Sequence, residues 1–254
     1  MMVRLRRRAT VDQDAMRRGG HRLATLLHAL AADVRPGMTT AALDRRARSL
    51  LAEHSDTPAF LGYRGYPAVL CTSRNAEVVH GIPRDDTVIR SGDILSLDFG
   101  IITDGWYSDM AVTIPVGAVS SADQALIDAT RDALAAAIRI VRPGVHIGDI
   151  GATVQALVEG RGFGVVRDLV GHGIGRELHE DPQIPNVGVA GQGSVLRAGM
   201  AIAIEPMVTA GGYAVRFLDD GWTVVTTDGS RAAHFEHTVL VTRDGGEILT
   251  SEAP

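Results

Sequence analysis

Residues 34–37 read Val-Arg-Pro-Gly, and residues 141–144 repeat the same four residues at an offset of 107. Each copy follows a stretch with the helical spacing of apolar residues and precedes another such stretch. The same offset places Asp98 on Glu205, and each of these acids ends a strand-like apolar run. Two separate features with one offset predict the duplication of a helix–helix–strand unit.

The predicted elements fall into two matching sets. We expect helices over 12–32, from Thr39 or Thr40 onward, over 122–141 and over 147–158, and strands over 94–99, 110–114, 201–204 and 237–241. This pattern predicts an α+β fold in which two pseudo-twofold-related halves surround a central antiparallel sheet. We also expect a basic tail at 1–11 and a single catalytic domain at 12–254, with pseudo-repeats over about 12–115 and 120–245.

The composition excludes several classes of function. All 25 basic residues are arginine, which excludes Schiff-base chemistry, a pyridoxal-phosphate lysine and the lysine of a phosphate-binding P-loop. The single cysteine, Cys71, permits neither an internal disulfide nor a cysteine-based zinc cluster. A net charge of −5 and short apolar runs indicate no DNA binding and no membrane span. The first residues contain no apolar secretory core, so we expect a cytoplasmic enzyme.

Acidic residues in apolar surroundings are the strongest candidates for chemistry. Residues 103–105, Thr-Asp-Gly, are typical of a hairpin turn, and such a hairpin would bring Asp98 close to Asp109. Glu205 and Glu236 also lie in strand-like apolar runs. Buried carboxylates repel one another, and one of them would become protonated unless a cation lay between them.

His172 lies between two glycines that permit close approach, and it adds a nitrogen donor to these four acids. Four carboxylates and one imidazole suit two divalent ions such as Mn²⁺, Fe²⁺, Co²⁺ or Zn²⁺, and the sequence does not choose between them. Such a pair of ions can ionise a bridging water and polarise a carbonyl. Taken singly, an acid beside a strand is more often a turn cap or a salt-bridge partner, and we interpret Asp93 and Asp104 in that way.

The roles of two further histidines allow two interpretations. His80 and His179 could bind a substrate amide or shuttle a proton, or they could be structural hydrogen-bonding residues. We predict that His234 and His237, which flank Glu236, are structural.

These motifs, in this order and at these spacings, match a known family. From about Arg17 to Thr250 the sequence resembles type I methionine aminopeptidases. The segments that carry the resemblance are 75–83, 98–113, 171–175, 179–182, 199–207 and 235–238. The resemblance implies the pita-bread fold of creatinases and aminopeptidases, whose two related halves agree with the repeat found in the sequence.

The resemblance also implies a set of metal ligands. Two divalent ions would bind Asp98, Asp109, His172, Glu205 and Glu236. Asp109 and Glu236 would bridge the ions, Asp98 would bind one of them, and the remaining two residues would bind the other.

The same resemblance implies catalytic and substrate-binding roles. Glu205 would exchange protons with the nucleophilic water, and His179 would stabilise the developing oxyanion. His80 would contact the substrate and assist proton transfer near the scissile nitrogen. The pocket for the methionine side chain would be lined by Tyr63, Tyr66, Cys71 and Trp222, a setting suited to a soft thioether.

Two departures affect the expected pocket. Leu178 stands where a larger aromatic residue often lies, and Phe60 fills a wall position that is smaller in some members.

The sequence lacks the internal insertion of type II enzymes and the zinc-binding extension of eukaryotic type I enzymes, so a compact bacterial form is expected. Its substrates would be nascent polypeptide N-termini with a small second residue, and we expect a monomer. The cluster Arg6–Arg8 is expected to be a solvated terminus, with transient ribosome contact as the alternative.

Three alternatives remain open from the sequence. The first is an Xaa-Pro aminopeptidase or prolidase of the same fold, although such relatives usually carry a sizeable N-terminal domain. The second is a non-catalytic peptide-binding module on this scaffold, which would typically have lost metal ligands. The third is a cysteine hydrolase that uses Cys71 with His80, but no lowered thiol pKa is indicated because Cys71 follows an apolar run.

Overall fold

The computed structural model describes residues 12–252, so the predicted basic tail at 1–11, with Arg6–Arg8, lies outside the described residues. The helices are α1 Gln13–Asp33, α2 Thr40–Ala52, α3 Ser121–Ile140 and α4 Ile147–Gly160. The first strands are β1 Thr57–Pro58, β2 Leu70–Arg74, β3 Glu77–Val79, β4 Ile94–Thr103, β5 Trp106–Pro115, β6 Gly164–Val165, β7 Gly171–Gly173 and β8 Glu180–Ile184. The others are β9 Ala201–Ile204, β10 Met207–Thr209, β11 Val215–Phe217, β12 Val224–Thr226, β13 Ala232–His234, β14 Glu236–Val241 and β15 Gly246–Ile248.

Short polar side chains set where the helices begin. Asp12 accepts a hydrogen bond from the backbone nitrogen of Ala15 at the start of α1. Of the two threonines considered for α2, Thr39 is the cap, and it accepts from the backbone nitrogen of Ala42 at 3.2 Å. Each cap satisfies a donor that the first helical turn leaves without an intrahelical partner.

The sequence repeat is also a repeat of backbone contacts. Gly37 donates from its backbone nitrogen to the carbonyl of Ile89 at 2.8 Å, and Gly144 donates to the carbonyl of Leu196 at 3.0 Å. Both glycines have a φ of +92°, a conformation that favours glycine. Donor and acceptor are shifted by the same 107 residues, so the predicted duplication is present in the structure.

The largest sheet is antiparallel throughout and holds nine of the strands described in residues 12–252. Its order is β1-β4-β5-β14-β9-β7-β8, with β2 paired to β4 and β15 paired to β14. Two smaller sheets have the orders β13-β10-β6 and β11-β12-β3. The predicted central antiparallel sheet is confirmed.

Alternation along β4 separates the core from the site. Leu95 and Leu97 point to one face, where they join a buried cluster with Leu23 and Leu27 of α1. Successive strand residues point to opposite faces, so Asp98 projects from the other face. The second half repeats this arrangement, because residues of α3 and α4 pack against β9 and β14 in a separate cluster. Two helical layers thus leave one face of the sheet for chemistry.

Within residues 12–252, no helix combines the length and the apolar character needed to cross a lipid bilayer.

Candidate active site

Five neighbouring strands of the large sheet each deliver one acid or imidazole to the same region. In the order β4, β5, β14, β9 and β7, the residues are Asp98, Asp109, Glu236, Glu205 and His172, with Glu205 directly after the end of β9. Residues far apart in sequence therefore become neighbours because the strands that carry them are paired.

The strand register explains why three of the acids share a face. Ala111 is paired with Asp98 on one side and with Glu236 on the other. Asp109 lies two residues before Ala111, so it projects to the same side of β5. The small side chain of Ala111 fills little of the space between these carboxylates.

Two threonine hydroxyls fix the backbone between β5 and its neighbours. Thr238 accepts from the backbone nitrogen of Asp109 at 2.9 Å and donates to its carbonyl at 2.8 Å. Thr113 makes the same pair of bonds with the nitrogen and carbonyl of His234, each at 2.8 Å. The backbones of Asp109 and His234 are therefore each held by a reciprocal pair of hydrogen bonds.

The electrostatics of the acid cluster disfavour four separate negative charges. Burial raises the pKa of Asp98 to about 7, although hydrogen bonds with Asp109 and Cys71 oppose the rise. Burial, and then the charges of neighbouring carboxylates, raise the pKa values of Asp109, Glu205 and Glu236 well above their ordinary range. A positive charge among these groups would remove the repulsion.

The imidazoles at the site favour their neutral, ligand-competent form. Burial, followed by the nearby His179, lowers the pKa of His172 to about 3. His172 donates from Nδ1 to the carbonyl of Gly173 at 2.9 Å, which leaves Nε2 as the free nitrogen. That Nε2 lies 3.6 Å from Oε1 of Glu205.

The donor set fits divalent cations. Asp109, His172 and Glu236 each offer a ligand atom, and these atoms lie within 4.8 Å of one another. Glu205, His234 and Glu236 form a second such group. Oδ1 of Asp98, Oε1 of Glu236 and both ring nitrogens of His234 are buried without a hydrogen-bond partner in the described part of the chain. Buried polar atoms of this kind are costly unless another ligand satisfies them.

A cavity of about 720 Å³ opens over this cluster. Its lining contains every residue predicted for the site: Tyr63, Tyr66, Cys71, His80, Asp98, Asp109, His172, His179, Glu205, Trp222 and Glu236. The volume is in the range of sites that bind small molecules or short peptide segments.

His179 and His80 stand over the cavity from different loops. His179 follows Leu178 in the connection between β7 and β8, and the hydroxyl of Tyr63 lies 2.7 Å from its Nδ1. Burial, and then the charge of Arg64, lower the pKa of His179. His80 directly follows β3 with a φ of +59°, a left-handed conformation that is strained for histidine. Burial lowers its pKa to about 4.

The cavity wall is apolar and aromatic. The rings of Tyr66 and Trp222 meet edge to face, with centroids 5.1 Å apart. Cys71 is paired with Asp98 in the ladder between β2 and β4, and burial, together with that carboxylate, raises its thiol pKa. Phe60 and Leu178, the two departures noted in the sequence, are both buried members of the lining.

The residues interpreted as structural differ in their placement. Asp93 accepts hydrogen bonds within its turn, and Asp104 forms an ion pair with Arg18 at 2.7 Å. Both therefore have the turn-capping or salt-bridge role expected of them. His237 contacts Thr250 away from the acids. His234 instead lies inside the acid cluster, which sequence reasoning missed. The one signal in the sequence is its spacing of two residues from Glu236, which would place the two side chains on one face only if a single strand ran through both.

Buried carboxylates and imidazoles at the base of a cavity of this size form a site suited to divalent metal ions that activate a water molecule. A family model described as metallopeptidase family M24 matches residues 14–243. The chain belongs to metallopeptidase family M24. The predicted family resemblance and the predicted requirement for divalent metal are thereby confirmed.

Individual relatives agree in sequence and in structure. Methionine aminopeptidase 1 of Mycobacterium tuberculosis is 47% identical, over 98% of this chain and 98% of that protein. The crystal structure of methionine aminopeptidase from Thermotoga maritima is 45% identical, with a TM-score of 0.93 over 99% of this chain and 100% of that one. A prolidase from Pyrococcus horikoshii, 20% identical, has a TM-score of 0.77 over 95% of this chain and 62% of its own. The last likeness shows the shared fold alone, and the predicted pita-bread fold is confirmed.

Proposed function

We propose that this chain is a methionine aminopeptidase that hydrolyses the first peptide bond of proteins beginning with methionine, when the second residue is small. The observation that carries the proposal is the delivery of five acid and imidazole ligands by adjacent strands into the cavity that also holds the aromatic wall. Similarity to methionine aminopeptidases over nearly the whole chain supports the choice of substrate.

Asp98, Asp109, His172, Glu205 and Glu236 would hold two divalent ions. Asp109 and Glu236 would bridge them, Asp98 would complete one ligand set, and His172 with Glu205 would complete the other. When bound, such ions lower the pKa of a water and polarise the scissile carbonyl.

The remaining steps belong to side chains of this chain. Glu205 accepts a proton as the oxygen of water forms its bond to the carbonyl carbon, and returns it to the amine as the carbon–nitrogen bond breaks. His179 donates a hydrogen bond to the carbonyl oxygen as negative charge develops there. The hydroxyl of Tyr63, on Nδ1, would keep the proton of His179 on Nε2 for this purpose. His80 contacts the substrate near the scissile nitrogen.

The apolar wall of the cavity would select methionine. Tyr63, Tyr66, Cys71 and Trp222 would surround the thioether, which is flexible and interacts favourably with aromatic edges. Phe60 lies close to Gly100, where a Cβ would come within 2.6 Å of its ring, so this ring packs directly on the backbone of β4.

The cellular setting follows from the proposed reaction. The substrates are N-termini of nascent polypeptides in the cytoplasm, and a single catalytic domain acts on them as a monomer. Any transient contact with the ribosome would involve the basic cluster Arg6–Arg8, which lies outside the described residues.

Competition between two substrates tests this function against the proline-directed alternative. The protein, supplied with divalent metal, should release methionine from Met-Ala-Ser and leave an Ala-Pro peptide intact. His179→Ala should lower kcat by roughly 10²- to 10³-fold, and Asp98→Ala should lower it at least as much. Full activity of both folded variants on Met-Ala-Ser would overturn the mechanism, and preferential cleavage of the Ala-Pro peptide would overturn the substrate.

A further inference from the structure

His234 is a buried histidine whose ring has no conventional role. It ends β13, is 1% exposed, and neither ring nitrogen has a hydrogen-bond partner among residues 12–252. A neutral imidazole carries one donor and one acceptor, and burying both without partners is costly. A structural hydrogen-bonding role therefore does not account for this side chain.

The distances around its Nε2 fit a shared cation better than hydrogen bonds. Nε2 lies 3.7 Å from Oε2 of Glu205 and 3.9 Å from Oε2 of Glu236. Hydrogen bonds between nitrogen and oxygen are shorter, at about 2.7–3.2 Å. Two ligands that each bind one cation at about 2.0–2.2 Å lie roughly 3–4 Å apart. The free Nε2 of His172 lies 3.6 Å from the other oxygen of Glu205, a similar separation.

The backbone that carries the ring is held in place by its neighbours. Thr113 binds both the nitrogen and the carbonyl of His234, and the hydroxyl of Ser96 lies 2.8 Å from that of Thr113. His234 is also paired with Met207 in the ladder between β13 and β10. A backbone held from two sides in this way keeps the buried ring beside Glu205 and Glu236.

We propose that His234 is a sixth ligand of the metal centre. Glu205, His234 and Glu236 form one ligand triad, Asp109, His172 and Glu236 form another, and Glu236 belongs to both. The inference rests on the proposed function only in that the site holds divalent metal. It assigns two imidazoles to the centre where the sequence predicted one.

A second imidazole changes which cations the centre prefers. Imidazole suits Zn²⁺, Co²⁺ and Fe²⁺, whereas carboxylate and water suit Mn²⁺ and Mg²⁺. Replacing the ring of His234 with an amide should therefore weaken Co²⁺ binding more than Mn²⁺ binding. A ring that only orients Glu205 would affect the two ions alike.

X-ray absorption of the protein loaded with two equivalents of Co²⁺ counts the imidazoles on the metal directly. Wild type should show two imidazoles per chain, and His234→Gln should show one. Titration should show Co²⁺ binding weakened at least about tenfold in the variant. His80→Gln, which removes an imidazole from the cavity over the acids but no proposed ligand, should leave the count and the Co²⁺ affinity unchanged.

The variant His172→Gln distinguishes a wrong role for His234 from a wrong metal centre. One imidazole in wild type, lost in His172→Gln and retained in His234→Gln, would overturn the role of His234 and leave the proposed function intact. If His172→Gln also left the Co²⁺ affinity and the imidazole count unchanged, the metal centre itself would be wrong. The wild-type count needs no variant, so a His234→Gln protein that fails to fold still leaves the proposal open to refutation.

Discussion

The hydroxyl of Tyr63 lies 2.7 Å from Nδ1 of His179. The two residues are 116 positions apart, and they meet because the turn that follows Phe60 and the connection between β7 and β8 border the same cavity. This contact ties the donor proposed for the oxyanion to a residue of the substrate wall.

Removing that hydroxyl should slow catalysis without unfolding the protein. Tyr63→Phe removes the hydrogen bond on Nδ1, and a bond worth about 1 kcal/mol corresponds to roughly a fivefold to tenfold fall in kcat. Steady-state kinetics on Met-Ala-Ser measures the change, with a small effect on KM. Tyr213→Phe, at a half-exposed tyrosine that stacks with Arg167, is the matched control and should leave kcat unchanged. Equal kcat values for Tyr63→Phe and wild type would exclude the proposed role.

Neutralising one acid should stabilise the protein when metal is removed. Asp109 lies between Glu236 and Asp98, and its own burial, followed by their charges, raises its pKa. Asp109→Asn relieves this repulsion, so in a chelator its melting temperature should exceed that of wild type by several degrees, equivalent to about 1–3 kcal/mol.

Added divalent metal should make wild type more stable than Asp109→Asn. Ligands that bind only the folded state raise its stability, and wild type retains the full set of donors. Thermal unfolding with and without Co²⁺ measures both effects. A wild-type protein more stable than Asp109→Asn in chelator would contradict the charge repulsion inferred for the cluster.

The turn before β4 should make stability depend on pH. Burial would raise the pKa of Asp93, but hydrogen bonds from Asn75 and from the backbone nitrogen of Arg90, both at 2.8 Å, outweigh it and lower the pKa. Because the folded pKa is lowered, the stabilisation is complete above the unfolded value of about 3.9. It is lost as the pH falls through the lower folded value.

Asp93→Asn should therefore cost about 1–3 kcal/mol at pH 7, and the difference from wild type should shrink below about pH 4. Urea unfolding across this pH range measures it. Asp85→Asn, at an exposed ion pair with Arg45, should change stability by less than about 0.5 kcal/mol. A cost for Asp93→Asn that stays constant down to pH 2 would refute the assignment.

Cys71 should be dispensable as a nucleophile. Its thiol is buried beside Asp98, and burial raises its pKa, whereas catalytic cysteines have lowered values. Cys71→Ser should retain activity on Met-Ala-Ser within about threefold, and iodoacetamide should not inactivate the wild-type enzyme at neutral pH. Loss of activity by more than about a hundredfold in a folded Cys71→Ser protein would revive the cysteine-hydrolase alternative.

The sequence predicted the repeat because one offset relates both the turns and two of the acids. The strands predicted over 94–99 and 110–114 are shorter than β4 and β5, because Gly100 interrupts the apolar pattern between them. In the structure Gly100 lies inside β4, and the Phe60 ring comes so close to it that a Cβ would not fit. The ladder then continues to Thr103 and the predicted turn.

The repeat did not predict Glu236 or His234. Glu236 follows Asp109 by 127 residues rather than 107, because β10 to β13 are inserted between β9 and β14. The resemblance to a family supplied this ligand, and the repeat alone could not. His234 was missed because Phe235 separates strands of two different sheets, so the strand alternation could not be assumed to continue.

Release of methionine by this chain should require a divalent cation at the cluster of acids and imidazoles. The most direct test is to strip the purified protein of metal and assay Met-Ala-Ser hydrolysis after adding Mn²⁺, Fe²⁺, Co²⁺ or Zn²⁺ separately. We expect no release from the stripped protein and restored release with at least one of these ions. Undiminished release from the stripped protein, or no release with any ion from a folded sample, would contradict a metal-dependent reaction at this site.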